Sequence, residues 1–140
     1  MLRDAAEVIR YKPGPGRDMT DIMEHAKFAQ LGLKCDHKGN RLEIALTIDI
    51  AVERGPAAQG REVQLPYFVA VLGPDDEILA KEIFTSVAQV PPERRRLGIR
   101  EETEQIIPLQ DFQTGANFEI MIGFQLTEVE LEENRRRLQQ

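Results

Sequence analysis

The sequence predicts an all-β chain, two antiparallel sheets packed face to face, and three observations predict it. From Arg41 to Glu53, apolar Leu42, Ile44, Leu46, Ile48, Ile50 and Val52 alternate with Glu43, Ala45, Thr47, Asp49, Ala51 and Glu53. A strand sends successive side chains to opposite faces, so this run has one apolar face and one wet face. Phe118 to Leu126 repeats the pattern, with Phe118, Ile120, Ile122, Phe124 and Leu126 inward. Proline and glycine clusters cut the chain into about seven strand-length runs with no long helical period between them, which reads as an antiparallel sandwich or barrel. The strand count fits an immunoglobulin or fibronectin type III-like sandwich. With one cysteine and no tryptophan the antibody signature is missing, so the fibronectin-like variant is preferred.

In chain order, Arg3 to Lys12 reads as a first, edge-like strand through Ala6, Val8 and Ile9. Pro13-Gly14-Pro15-Gly16 ends it. Arg17-Asp18-Met19-Thr20 follows, not the Gly-Lys-Ser/Thr of a phosphate loop, so the segment reads as a turn. Between Thr20 and Cys35 the apolar phase changes near Ala29 and Gln30, the mark of a β-bulge. A short helix over Asp21 to Leu31 is the competing reading. Asp36 to Asn40 is a polar hairpin turn, with Gly39 and Asn40 suited to positive φ. The organising strand runs from Arg41 to about Arg54, and Gly55 to Gly60 is a small-residue loop. Arg61 to Leu72 is the next strand. Its run Tyr67 to Leu72 is apolar on both faces, as in a strand covered on both sides or at an interface. Gly73 to Glu77 is a turn, and Ile78 to Val87 returns as a strand, forming a hairpin with Leu65 to Leu72.

Val90 to Gly98 reads as a loop because it holds consecutive prolines. Ile99 to Leu109 reads as a mostly exposed strand that turns inward at Ile106, Ile107 and Leu109, closed by Pro108. Gln113 to Asn117 is a turn before the Phe118 strand. Thr127-Glu-Val-Glu130 is a capping box, with glutamates following it and arginines at 135–137. The expectation is a β-sandwich domain over residues 1–127, then a charged helix or disordered tail over 128–140.

The 140 residues suffice for one domain with its own core. Eighteen basic against 24 acidic residues give a net charge of -6, which argues against a general nucleic-acid binder. Arg94-Arg95-Arg96 and Arg135-Arg136-Arg137 are flanked by glutamates and read as solvated charge. No apolar run reaches the ~20 residues of a membrane span. The start, Met1 to Glu7, lacks a signal pattern, which points to the cytoplasm if Met1 is the true start.

Little in the sequence supports catalysis. Ser86 is the chain's only serine and lacks a Gly-x-Ser-x-Gly frame. Glu101, Glu102 and Glu104 offer carboxylates but no visible cleft. Cys35, with His37 and His25, falls short of a zinc set. It also has no partner in this chain for a disulfide. No enzyme activity, metal or cofactor is expected. The most distinctive stretch is Glu53-Arg-Gly-Pro-Ala-Ala-Gln-Gly-Arg61 with Leu65-Pro-Tyr-Phe-Val-Ala-Val71. Its small residues let another backbone approach between Arg54 and Arg61, so Arg54, Gln59, Arg61 and Tyr67 are the candidate contacts for a partner protein or carboxylate. A long, flexible strand connection is the reading preferred over contact.

Together with Pro15 to Asp21, this stretch resembles a family of uncharacterised envelope lipoproteins of alphaproteobacteria, across most of the chain. The resemblance brings no catalytic residues. It implies a periplasmic or cell-envelope location through a lipid anchor that this chain does not contain. It also implies a disulfide between Cys35 and a cysteine upstream of this chain. The resulting expectation is a non-enzymatic domain of a cell-envelope protein that binds a protein or envelope component, with no nucleic acid. A cytosolic accessory subunit is the alternative, and a small apolar-ligand carrier built as a barrel comes third.

Overall fold

A computed structural model describes residues 3–91, 93–108 and 118–139. The expected Gln113–Asn117 turn and the inward turn at Leu109 lie outside them. Among the described residues seven strands form: β1 (Glu7–Tyr11), β2 (Ile22–Lys38), β3 (Arg41–Arg54), β4 (Glu62–Leu72), β5 (Ile78–Gln89), β6 (Arg96–Pro108) and β7 (Glu119–Phe124). One helix follows, α1 (Glu128–Leu138). One sheet has the order β1-β2-β3-β6 and the other β5-β4-β7, and all pairings are antiparallel. The expected two-sheet sandwich is therefore the fold. Its wiring is not that of an immunoglobulin constant domain, which splits the second and third strands between sheets. Here β2 and β3 form one long hairpin within a sheet, because the tight turn at Gly39 and Asn40 leaves no length to cross over.

Strand β3 is the centre of its sheet. Its even-numbered residues Leu42 to Val52 are all buried and its alternate residues face outward. The phase change in β2 is a bulge: Phe28 pairs with Ile50 and Gln30 with Asp49, leaving Ala29 without a partner. The extra residue turns Leu31 onto the face that Phe28 occupies before it. The helix alternative over Asp21–Leu31 is excluded by this ladder. At the hairpin turn only Gly39 has positive φ, at 60°, and Asn40 does not. Glycine at the first central position suits a two-residue hairpin that needs only one left-handed residue.

Strand β4 is the centre of the second sheet, and its apolar run is covered within the chain. Val69, Ala70, Val71 and Leu72 are buried. Pro66 sits in this central strand at the point where β7 stops. Gln125 N–H donates to the Pro66 carbonyl at 2.9 Å. Proline has no N–H to return, so the β4–β7 ladder ends at the pair Tyr67–Phe124. The two inner faces meet at Phe28 and Phe124, stacked with centroids 4.2 Å apart.

Four expected boundaries and faces are corrected. The first strand begins at Glu7, because Arg3–Ala5 forms a 3-10 turn. β5 runs on to Gln89. β6 starts at Arg96, inside the expected loop, since Glu53 and Arg96 already pair. Ile106 is exposed at 58 %, whereas Ile107 is buried, because the β3 register turns odd-numbered β6 residues inward.

The helix closes one side of the sandwich. Thr127 Oγ1 accepts from Glu130 N–H, and the Glu130 carboxylate accepts from Thr127 N–H, as the capping box requires. Buried Asn134 donates from one amide nitrogen to the carbonyls of Asp4, at 2.9 Å, and Glu7, at 2.6 Å. Arg17 reaches Glu133 at 3.0 Å. At the base of the β1–β2 connection, Asp21 accepts from Asp18 N–H and pairs with Lys12 at 3.0 Å. The Asp18 hydrogen bond first, and Lys12 after it, hold its carboxyl below the usual value.

Candidate functional site

The outward face of the β1-β2-β3-β6 sheet is built in rows that the pairing registers fix. One row is Ile9, His25, Glu53 and Arg96; the next is Glu7, Lys27, Ala51 and Gly98. Ala51 and Gly98 carry almost no side chain, so the second row dips between longer neighbours. The dip is a trough of about 540 Å³ lined by His25, Lys27, Ala51, Glu53, Arg96 and Gly98, among others. It runs on, through His25 and Glu53, into a second hollow of about 330 Å³. Met19, Ile22, Gly55, Pro56 and Arg95 line that part.

The loop that the sequence singled out forms one wall. Gly55 N–H donates to the Met23 carbonyl and Ala57 N–H to the Ile22 carbonyl. A Cβ on Gly55 would collide with the Ile22 carbonyl, so only glycine lets the loop lie this close to β2. Arg54 is turned back onto its own loop through one guanidinium nitrogen, Nη2. Its guanidinium donates to the carbonyls of Gly60, at 2.8 Å, and Gln59, at 3.4 Å, which closes the loop. Its backbone N–H donates to the Arg95 carbonyl at 2.7 Å, which draws the Arg94–Arg96 cluster to the trough. That cluster is solvated, as expected, and it stands at the mouth of a concave surface.

Charge is uneven here. His25, Lys27, Arg95 and Arg96 line the trough against the carboxylate of Glu53. His25 also contacts Glu7 at 2.8 Å. Arg96 comes no nearer than 4.0 Å to Glu53. Among the described residues, Lys27, Arg94 and Arg95 form no ion pair. Arg100, the next outward cation on β6, is held by both oxygens of Asp49. This hydrogen-bonded pair lowers the Asp49 pKa. A positive patch on a chain of net charge -6 is local, and concave low-dielectric walls strengthen its field.

The candidate contacts divide. Arg54 lines the trough but is committed to its own loop. Gln59 and Arg61 are exposed on the loop, outside the lining. Tyr67 is not a surface residue: it is 1 % exposed and stacks on Phe84 at 5.4 Å. The inward parity of β4 decides this. Cys35 is exposed on β2, opposite Ile44. Ser86 is fully buried and its hydroxyl has no hydrogen-bond partner. Glu102 and Glu104 face solvent, while Glu101 lies on the inward-facing side of β6, where its charge reaches Tyr67. No group of three potential metal ligands occurs among the described residues. Among the described residues no helix is long and apolar enough to cross a membrane.

Sequence reading missed His25, Lys27, Ala51 and Gly98. Their individual positions in strands were legible, but their meeting depends on which strands pair and in what register.

No family model matches the chain, and no curated protein matches it. Among solved structures it is similar to the variable domain of the Streptococcus agalactiae AgI/II polypeptide BspA. The identity is 12 %, over 91 % of this chain and 77 % of that one, with a TM-score of 0.20, a value too low to bear on fold or function.

Proposed function

We propose that this chain is a non-catalytic binding domain that holds an acidic segment of a partner protein in the trough on its β1-β2-β3-β6 sheet. The observation that carries the reading is the gathering of Lys27, Arg95 and Arg96 over a small-residue floor in a chain that is acidic overall. Met19, Ile22 and Pro56 add apolar wall, which suits a peptide carrying both carboxylates and apolar side chains. Duplex nucleic acid fits less well, because the remaining surface of an acidic chain repels phosphates. The domain's place is the cell envelope, on the resemblance of residues 15–21 and 53–71 to envelope lipoproteins. The fibronectin type III-like character belongs to this reading and rests on sandwich architecture alone. Cys35, exposed on β2, is accessible to a cysteine of a longer chain.

A labelled peptide alternating glutamate and leucine serves as probe in a fluorescence-anisotropy titration. Lys27→Glu with Arg95→Glu raises Kd by more than about tenfold, and added salt weakens binding to the unmodified protein. Equal affinity in the two proteins, or no binding at low salt, refutes the reading.

A second reading, an accessory subunit packed on a partner chain, is favoured by β5. Ile78, Ile83 and Val87 are 65 %, 58 % and 55 % exposed along this edge strand. Exposed apolar side chains grouped along one edge strand, here with Lys81 and Thr85 between them, suit a protein contact.

A further inference from the structure

We propose that β6 is a self-pairing edge: two copies of this chain join antiparallel through it, with Ile99 on the two-fold axis and Arg96 of each copy opposite Glu102 of the other. Among the described residues β6 pairs with β3 alone, and no other described strand is hydrogen-bonded along its outer side. The backbone geometry says which groups face that side. Arg54 N–H donates to the Arg95 carbonyl, and these two residues continue the register that sets Glu53 against Arg96. In an antiparallel ladder the residues that exchange hydrogen bonds with one neighbour alternate with those that do not. Odd-numbered residues of β6 are therefore bonded to β3. Arg96, Gly98, Arg100, Glu102 and Glu104 turn their N–H and C=O groups to the open edge. No proline interrupts β6 before Pro108, its last residue, so each of these residues has a donor to offer.

The order of charge along this edge selects the partner and the register. The same residues share the outward face and run from cations, Arg96 and Arg100, to carboxylates, Glu102 and Glu104. A two-fold axis normal to the sheet leaves each side chain on its own face, so even positions meet even positions. With the axis at Ile99, Arg96 meets Glu102 twice, once on each side, and Arg94, just before the strand, comes opposite Glu104. Arg100 falls opposite Gly98, where no side chain competes with its pairing to Asp49. Moving the axis to Arg100 sets Arg100 on itself. Moving it to Glu101 stacks two glutamates, and moving it to Gly98 sets Arg96 on Arg100. Like charges directly opposite destabilise a strand pair and opposite charges stabilise it. Charge on an edge strand ordinarily repels other strands. Here, separation by sign makes an antiparallel copy of the same strand the complementary one. The contact is isologous and closes at two copies.

Sedimentation velocity over a wide concentration range tests this. The unmodified protein dimerises. Arg96→Glu alone and Glu102→Arg alone each weaken the dimer about tenfold or more, since each change acts twice across the axis. The double variant Arg96→Glu, Glu102→Arg restores the dimer, because the swapped charges again meet. Lys27→Glu, on β2, leaves the dimer intact, which separates this contact from the trough. Thermal melts verify that the variants fold, and both side chains are exposed. A monomer at every concentration, a dimer indifferent to Arg96→Glu, or a double variant that stays monomeric overturns the proposal.

Discussion

Tyr67 shows how one position changes role when its surroundings are known. Its sequence neighbours made it a contact candidate; its place on the inward face of β4 makes it a core residue. Burial, with a smaller contribution from the Glu101 charge, pushes its hydroxyl from 10.0 up to about 12. In the folded protein Tyr67 therefore keeps its proton to higher pH than in the unfolded chain. The stability this represents is present in full below pH ~10 and is lost as pH rises towards about 12, where the unfolded state alone gains from ionisation. Urea melts between neutral pH and pH 11 should show a steeper alkaline decline for the unmodified protein than for Tyr67→Phe. Parallel declines would mean that Tyr67 is not desolvated in this way. Gly55 makes the opposite case. Its role was read as giving access to a foreign backbone, and the backbone that approaches is the chain's own, at Ile22 and Met23.

Among the elements, α1 departs most from what its composition implies. Val129, Leu131 and Leu138 are its only aliphatic side chains, too few for an apolar stripe, and both Val129 and Leu138 are exposed. It is attached by polar groups instead. Asn134 satisfies two carbonyls at the chain's beginning, and Arg17 and Arg135 reach Glu133 and Asp4. The exposed ion pairs contribute little, so the buried amide is the main anchor. Asn134→Ala should cost about 1–3 kcal/mol, because it leaves the Asp4 and Glu7 carbonyls without their donor. Amide exchange in Glu128–Leu138 should rise with it. Unchanged exchange would show that the helix is held by other contacts. β6 was read correctly as a strand with a wet face, yet its inward face carries Glu101, Thr103 and Gln105. No period-2 apolar signal survives that composition, so neither its start nor the exposure of Ile106 was legible.

At the scale of the whole molecule, the sandwich is held by the face of β3 closing on that of β4 and β7. Leu46 is 3 % exposed at the middle of that face. Leu46→Asp places a charge inside the apolar cluster, opposite only the neutral Thr103 across the β3–β6 ladder, and should abolish the cooperative fold. Far-UV circular dichroism and a thermal scan would show it; a soluble variant with a sharp transition would contradict the central place given to β3. Both the trough and the β6 edge depend on this core, since each is an outward consequence of how the sheet is registered.

The sequence by itself determined which runs are strands, though not the bounds of β1, β5 and β6, and it determined the bulge at Ala29, the hairpin turns and the cap at Thr127. Each is fixed by side-chain alternation, backbone permissiveness or hydrogen bonds within a few residues. It also marked the Gly55 loop and the arginine run at 94–96 as unusual. Only the tertiary structure decided that these two stretches meet at one trough with His25, Lys27, Ala51 and Gly98. Strand order and register are set by packing between distant segments. A period of two tells which residues share a face and is silent about which strand lies beside them.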